Sequence, residues 1–178
     1  MKHLFATIAC LLAITTLRAG EDEDRKQIVQ RARSMVDATF KGDMTAVIQF
    51  MHPGAIKAIG GKEAVKKAIG GVAEQMKQLG LEFVSMDIQP PDKFLTNNGK
   101  TFTVVKTKTV MQITGKTKLT EESSMIAIRE TADGPWTFLR VNAPVAQNRQ
   151  MLKMLLPDVP DDLVIEAPVK PVAEPLSK

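Results

Sequence analysis

Disulfides and cysteine-bound metals have almost no raw material in this chain. Its single cysteine, Cys10, sits inside an apolar N-terminal run, and no thiol follows it. Tyrosine is absent, and histidine occurs only at His3 and His52. A metal centre built on clustered histidines is therefore excluded, and a carboxylate-only site would favour magnesium or calcium. No Gly-x-Ser-x-Gly elbow is present to expose a nucleophilic serine. Gly60-Gly61-Lys62 fails as a phosphate-binding loop, because Ile56 stands where the first glycine belongs and Glu63 where serine or threonine is needed. Neither a metal nor a cofactor is expected.

Long hydrophobic runs are missing as well. The one apolar stretch, Leu4 to Leu17, is shorter than the ~20 residues that span a bilayer. It follows Met1-Lys2-His3 and precedes Arg18 and Ala19, the pattern of a secretory signal peptide cut after Ala19. Thr7-Ile8-Ala9-Cys10 loosely resembles a lipidation site, but apolar residues continue past Cys10, where such a site would end the run. The expectation is export to the periplasm or the extracellular space, with no stable membrane insertion after cleavage. The chain then divides into a signal peptide (1–19), one domain (20–156) and a proline-rich tail (157–178). Losing Lys2 and Arg18 lowers the formal net charge from +4 to +2, too mild for a nucleic-acid footprint.

Helical spacing governs the first half of the exported part. Ile28, Val29, Ala32, Met35, Val36 and Phe40 form one stripe, closed by Gly42. Asp43 caps a short second helix carrying Met44, Val47, Ile48 and Met51, and Pro53 stops it. Gly60-Gly61 reads as a flexible joint. A third helix bears Val65, Ala68, Ile69, Val72, Met76 and Leu79, with Gly70-Gly71 inside it either pressing close to a sheet or breaking the helix.

From Leu81 to Asn142 the pattern changes to an antiparallel meander, too long and twisted to stay flat. Pro90-Pro91 interrupts the first strand, and Asn97-Asn98-Gly99 makes a hairpin into a long strand from Thr101 to Ile113. A strand from Lys116 to Arg129 follows the turn at Gly115, and Trp136 to Asn142 is the last strand. In the long strand Thr101, Thr103, Thr107 and Thr109 share one face, which suits water or a partner sheet and so a homodimer through the sheet. Pro144 opens a helix with Leu152, Leu155 and Leu156. Five of the ten prolines then fall between Pro157 and Pro175, so that end reads as extended chain without a core, in which Leu163-Val164-Ile165 could clip onto the domain.

This order of elements resembles the nuclear-transport-factor-2-like (NTF2-like) superfamily, in particular its SnoaL-like and DUF4440-like group. The matching pieces are Lys41-Gly42-Asp43, His52-Pro53, Gly61-Lys62-Glu63-Ala64 and Gly134-Pro135-Trp136-Thr137-Phe138. The resemblance covers about Asp24 to Asn142. It implies an α+β cone, with three N-terminal helices packed on a strongly curved antiparallel sheet around an apolar pocket. Members include isomerases, cyclases, dehydratases and proteins with no activity, so membership does not define function. The ketosteroid-isomerase arrangement, with its tyrosine hydroxyl, cannot be carried over to a chain without tyrosine.

Three residues could serve as a general base: His52, Asp87 and Glu121. For His52 the bland reading is a helix terminus hydrogen-bonded to a carbonyl, and a lone histidine lacks the positioned partner that catalysis needs. Asp87 and Glu121, with Glu122 beside it, could point into the cone or sit on the wet face. Trp136, Phe138 and Arg140 share a face of the last strand. If that face is concave, Arg140 receives an anionic group at the pocket mouth; if convex, it is a surface arginine. Met35, Met51 and Met76 are either filler for an irregular core or the lining of an adaptable pocket. The leading expectation is an exported, non-catalytic domain that binds a small apolar or weakly anionic ligand or acts as an accessory protein. The rivals are a cyclase- or isomerase-type enzyme and an envelope protein-interaction module.

Overall fold

The computed structural model describes residues 2–113 and 117–175, with side chains from Gly20 onward. The turn expected at Gly115 lies outside the described residues. Four helices precede the sheet where apolar spacing predicts three. Helix α1 (Lys2–Phe40) is continuous across the expected cleavage point. It buries Ile28 and Ala32 completely. Helix α2 (Met44–Phe50) is capped by Asp43, whose carboxylate accepts the Ala46 N–H at 3.0 Å. The unforeseen helix is α3 (Pro53–Ile59). Pro53 ends α2 as expected, but it also opens α3, because the first position of a helix has no use for the missing N–H. Gly60 and Gly61, at φ of 102° and 95°, form a left-handed corner specific to glycine, not a loose joint.

Helix α4 (Lys62–Gln78) runs unbroken through Gly70 and Gly71. A Cβ added at either glycine would meet nothing within 4 Å, so neither marks a close approach to the sheet. The apolar stripe also leaves the core along α4: Val65 is 0% exposed, but Val72 is 57% and Leu79, just past the helix, 60%. Gly70→Ala and Gly71→Ala should each stabilise the protein by roughly 0.5–1 kcal/mol, read as a higher denaturant midpoint with unchanged slope.

The sheet is antiparallel and six-stranded. Strands β1 (Leu81–Ile88), β2 (Phe94–Asn97), β3 (Lys100–Ile113), β4 (Thr117–Arg129) and β5 (Thr137–Arg140) come in chain order, and β6 (Val172–Pro175) returns from the C-terminal end. The β3–β4 pair is its spine, in register from Thr101 opposite Arg129 to Ile113 opposite Thr117. Along the free edge of β3 lie β1 and then β2, separated by the bend at Pro90-Pro91, with an irregularity between Phe83 and Ser85. Along the free edge of β4 lie β5 and β6. The hairpin between β2 and β3 turns on Asn98 and Gly99, both at positive φ, as a two-residue hairpin loop with the twist of its strands demands.

Both faces of the sheet are covered. On one, Val105, Met125, Ala127, Trp136 and Phe138 pack against Ile28 and Ala32 of α1. On the other, Phe102, Ile126, Ile128, Leu139 and Val141 pack against Val145 of α5 (Ala143–Gln147), Leu152 of α6 (Arg149–Leu155), and Leu156, Val159 and Leu163 beyond them. This corrects one expectation. The proline-rich end is extended, but Val159 and Leu163 contribute to the core and, with α5 and α6, form a second covering layer.

Charged side chains fasten both layers. Asp24 of α1 forms a two-pronged ion pair with Arg129 of β4, one arm at 2.9 Å, and the Arg129 guanidinium lies 4.7 Å over the Trp136 ring. Arg31 donates to the Trp136 carbonyl at 2.9 Å, and Arg25 to the Pro91 carbonyl at 3.0 Å. On the opposite face Arg149 donates to the carbonyls of Leu163 at 3.2 Å and Val159 at 3.4 Å, and to that of Pro160. The threonine face of β3 is not open to a partner sheet. Thr103, Thr107 and Thr109 are all buried, Thr103 donates to the Lys93 carbonyl at 2.7 Å, and Thr107 meets the Ser123 hydroxyl at 3.0 Å.

Candidate functional site

His52 is buried and fully engaged. Its backbone N–H donates to the Phe138 carbonyl at 2.8 Å. Ring nitrogen Nδ1 accepts the Gly54 N–H at 3.0 Å, so in the neutral ring the proton sits on Nε2, which lies 2.8 Å from Glu130 Oε1 and donates to it. The other Glu130 oxygen accepts from Lys100 at 2.7 Å, and Lys100 also reaches Asp158 at 3.0 Å. Asn98 Nδ2 donates to the Asp158 carboxylate at 2.7 Å, and Asn97 Nδ2 to its carbonyl at 3.0 Å. This chain of contacts ties the start of α3, the β2–β3 hairpin, the end of β4 and the segment after α6. His52 is therefore the N-cap of a following helix, accepting an amide proton; the sequence reading had it at a C-terminal end, donating to a carbonyl. Gly54 permits the arrangement, because a Cβ there would stand 2.5 Å from the Leu155 carbonyl oxygen and 3.0 Å from His52 Nδ1.

The electrostatics of this clasp set its pH range. Burial pushes the Glu130 carboxyl up, but hydrogen bonds from Lys100 and His52 outweigh it and hold the group below its ordinary 4.5. The Asn98 amide, then Lys100, hold Asp158 below its ordinary 3.8. The Lys100 ammonium is raised above its ordinary 10.5 by Glu130 and Asp158. A depressed carboxyl contributes stability that is present above its unfolded value and lost as pH falls through the folded one. A raised ammonium contributes stability that is present below its unfolded value and lost as pH rises through the folded one. The clasp should therefore hold from about pH 4.5 to 10.5 and loosen outside that window. Denaturant midpoints followed from pH 6 to 3 should fall, and Glu130→Gln should flatten that fall.

The other candidate bases lie apart. Asp87 is exposed on β1, opposite Lys108, which is itself opposite Glu122 on β4. Glu121 faces Thr109, and its carboxylate lies 3.3 Å from Arg140. Arg140 shares the α1-covered face with Trp136 and Phe138, but at the outer end, where its side chain is 65% exposed. Met35 packs with Trp136 in the α1 core, Met51 flanks the opposite core, and Met76 is half-buried on α4. Of the sequence candidates, then, Glu121 and Arg140 are brought together and Met35 and Trp136 share one cluster. The set as a whole does not converge on one spot. Among the described residues no group of three or more His, Cys, Asp or Glu is placed to hold a metal ion.

A recess of about 260 Å³ lies elsewhere, between the bend after β1, the outer side of β3 and the segment 162–166. Its apolar lining includes Leu95, Val104 and Leu163, and its charged lining sets Lys93 and Lys106 against Asp92, Asp162 and Glu166. Each lysine holds a carboxylate of the C-terminal segment, Lys93 that of Asp162 at 3.3 Å and Lys106 that of Glu166 at 2.9 Å. The Glu166 contact raises the Lys106 ammonium. A molecule with a short apolar body and one anionic group fits this chemistry, taking over a lysine from its internal partner. The sequence reading missed this recess. Its one local signal was Lys106 and Lys108 alternating with the threonines; the carboxylates that pair with Lys93 and Lys106 lie 69 and 60 positions away.

Compared with known proteins, the chain matches no family model, no curated protein and no solved structure.

Proposed function

We propose that the chain is an exported, non-catalytic binding domain of NTF2-like type, whose ligand is a small amphipathic anion held in the recess between Val104, Leu163, Lys93 and Lys106. The observation that carries the reading is an apolar lining rimmed by two ammonium groups whose present partners are exposed carboxylates. Exposed ion pairs contribute only about 0–1 kcal/mol, so an incoming carboxylate displaces one at little cost. The volume falls just under the ~300 Å³ at which ordinary ligand sites begin, which points to a short chain. The absence of catalysis is supported by the full engagement of both His52 nitrogens and the dispersal of Asp87 and Glu121. NTF2-like kinship is supported by the Lys41-Gly42-Asp43 corner after α1, by His52-Pro53 and by the helix opening at Gly61-Lys62. Residues 143–165, covering the second sheet face, are an addition to that pattern.

Hexanoate is a suitable probe. It should raise the melting temperature of the full chain in a saturable way, and Lys93→Ala with Lys106→Ala should weaken its binding about tenfold or more. Val104→Trp, which fills the recess, should abolish it. Hexanoate that binds all three proteins equally, or none, removes this site. A second reading, a protein-interaction module, rests on Val72, Met76 and Leu79, one helical stripe with two members more than half exposed. Isolation of the protein with a stoichiometric partner that Leu79→Glu releases would favour that reading.

A further inference from the structure

Strand β4 is thirteen residues long, but on its outer edge β5 covers only Met125 to Ile128. At the other end of that edge, Thr117 to Thr120 pair with the chain's own C-terminal strand. Thr117 faces Pro175, Lys118 faces Glu174, Leu119 faces Ala173 and Thr120 faces Val172. One further backbone bond, Val169 N–H to the Glu122 carbonyl at 3.0 Å, leads into this pairing. All four residues of β6 are exposed, so ladder hydrogen bonds and the Lys118–Glu174 opposition hold the strand without any buried side chain.

The tether is long and stiff. The last buried residue before β6 is Leu163, and the nine steps from there to Val172 include Pro168 and Pro171. Nine residues span up to about 30 Å when extended, and proline favours that state. Every contact β6 makes with its own β4 can be made identically with the β4 of another molecule. The tether, fastened on the way by Ile165 against the core and by the Lys106–Glu166 ion pair, favours the internal arrangement, and rising concentration offsets that advantage.

We propose that the β4 edge from Thr117 to Thr120 is a strand-docking surface whose partner is β6 of a second copy of this chain, so that two molecules pair by exchanging their C-terminal strands. The occupant is identified by the register on the edge. The segment shown to fit it, with glutamate set against Lys118, is this chain's own Val172–Pro175. Proline at both 171 and 175 limits the amide donors on the outer side of β6, so the assembly closes at two copies without extending into a longer sheet.

The test uses full-length protein with Cys10 replaced by serine, so that each molecule carries one introduced thiol. Leu119→Cys and Ala173→Cys chains, which face one another across the β4–β6 pairing, are mixed in equal amounts and mildly oxidised. No intramolecular disulfide is available, and an exchanged pair should give a Leu119→Cys/Ala173→Cys heterodimer several-fold in excess of either homodimer. The excess should disappear when Lys170→Cys, out of register, replaces Ala173→Cys. A heterodimer no more than about twice as abundant as either homodimer, the ratio of random pairing, overturns the proposal. Sedimentation supplies a readout without introduced thiols. The dimer dissociation constant should rise at least tenfold in Ala173→Pro, and an unmodified chain that stays monomeric to millimolar concentration, or an unchanged constant in the variant, overturns it.

Discussion

Trp136→Ala should cost about 3–5 kcal/mol, a large share of the ~5–15 kcal/mol that holds a domain of this size together. Trp136 has no exposed surface and sits at the centre of the cluster that joins α1 to the sheet. Three attachments meet there: the Arg129 guanidinium over its ring, the Arg31 bond to its carbonyl and the tilted contact with Phe94 at 5.9 Å. Truncation opens a cavity lined by Ile88 and Phe138 and takes the aromatic face from Arg129, whose partner Asp24 fixes α1. Trp136→Phe should be much milder, since the indole N–H has no hydrogen-bond partner and its loss removes volume only. Urea unfolding followed by circular dichroism compares all three proteins. In the parent, Trp136 is the sole tryptophan and there is no tyrosine, so its blue-shifted emission should report the same transition. A loss under 1 kcal/mol for the alanine variant would mean that α1 is not seated on the sheet as described.

The second large effect is expected at Arg149. Its guanidinium gathers the carbonyls of Val159, Pro160 and Leu163, whose segment supplies Val159 and Leu163 to the core of the opposite face. Arg149→Met keeps much of the apolar stem and removes the donors, taking this partner from the Val159 and Leu163 carbonyls and leaving Pro160 with the Leu163 N–H at 3.1 Å. Hydrogen bonds from a charged donor are worth ~1.5–3 kcal/mol, so a total loss of about 3 kcal/mol is expected. It should be confined in space. Amide exchange should speed up across 156–165 and β6 while β3 and the α1 face keep their protection. Uniform acceleration over the whole sheet would mean that the segment has no separate stability, and unchanged exchange would mean that it is not held by Arg149.

Some of this fold was readable residue by residue. The Asn97-Asn98-Gly99 hairpin, the Asp43 cap, the end of α1 before Gly42 and the strand limit at Arg129 are local statements, and the residues concerned act through their own backbone preferences. Pro53 was readable in only one direction: a proline that ends one helix also suits the start of the next, and seven residues with only Ala55 buried leave too little stripe to reveal α3. The second covering layer did leave a mark. Met125-Ile126-Ala127-Ile128 is apolar at every position, the pattern of a strand packed on both sides, in contrast to the alternation of a one-sided sheet.

The candidate site was less legible. His52 could be singled out, but its role depends on Glu130, 78 positions away. The recess joins Lys93 and Lys106 to acidic residues 60 or more positions downstream. Nothing in a local window pairs one lysine with one glutamate among the 24 basic and 20 acidic residues of the chain.

By itself, then, the order of amino acids determined the kinds of element, where most of them start and stop, and which chemistries lack the side chains to operate. Periodicity says that a residue will be buried, because apolar surface leaves water wherever it finds cover, but it does not name the cover. Tertiary structure alone decided that the proline-rich end covers the second face, that the threonines point inward and that both nitrogens of His52 are occupied. Each of those outcomes depends on contacts between segments far apart in the chain, and such contacts exist only after the backbone has closed around them.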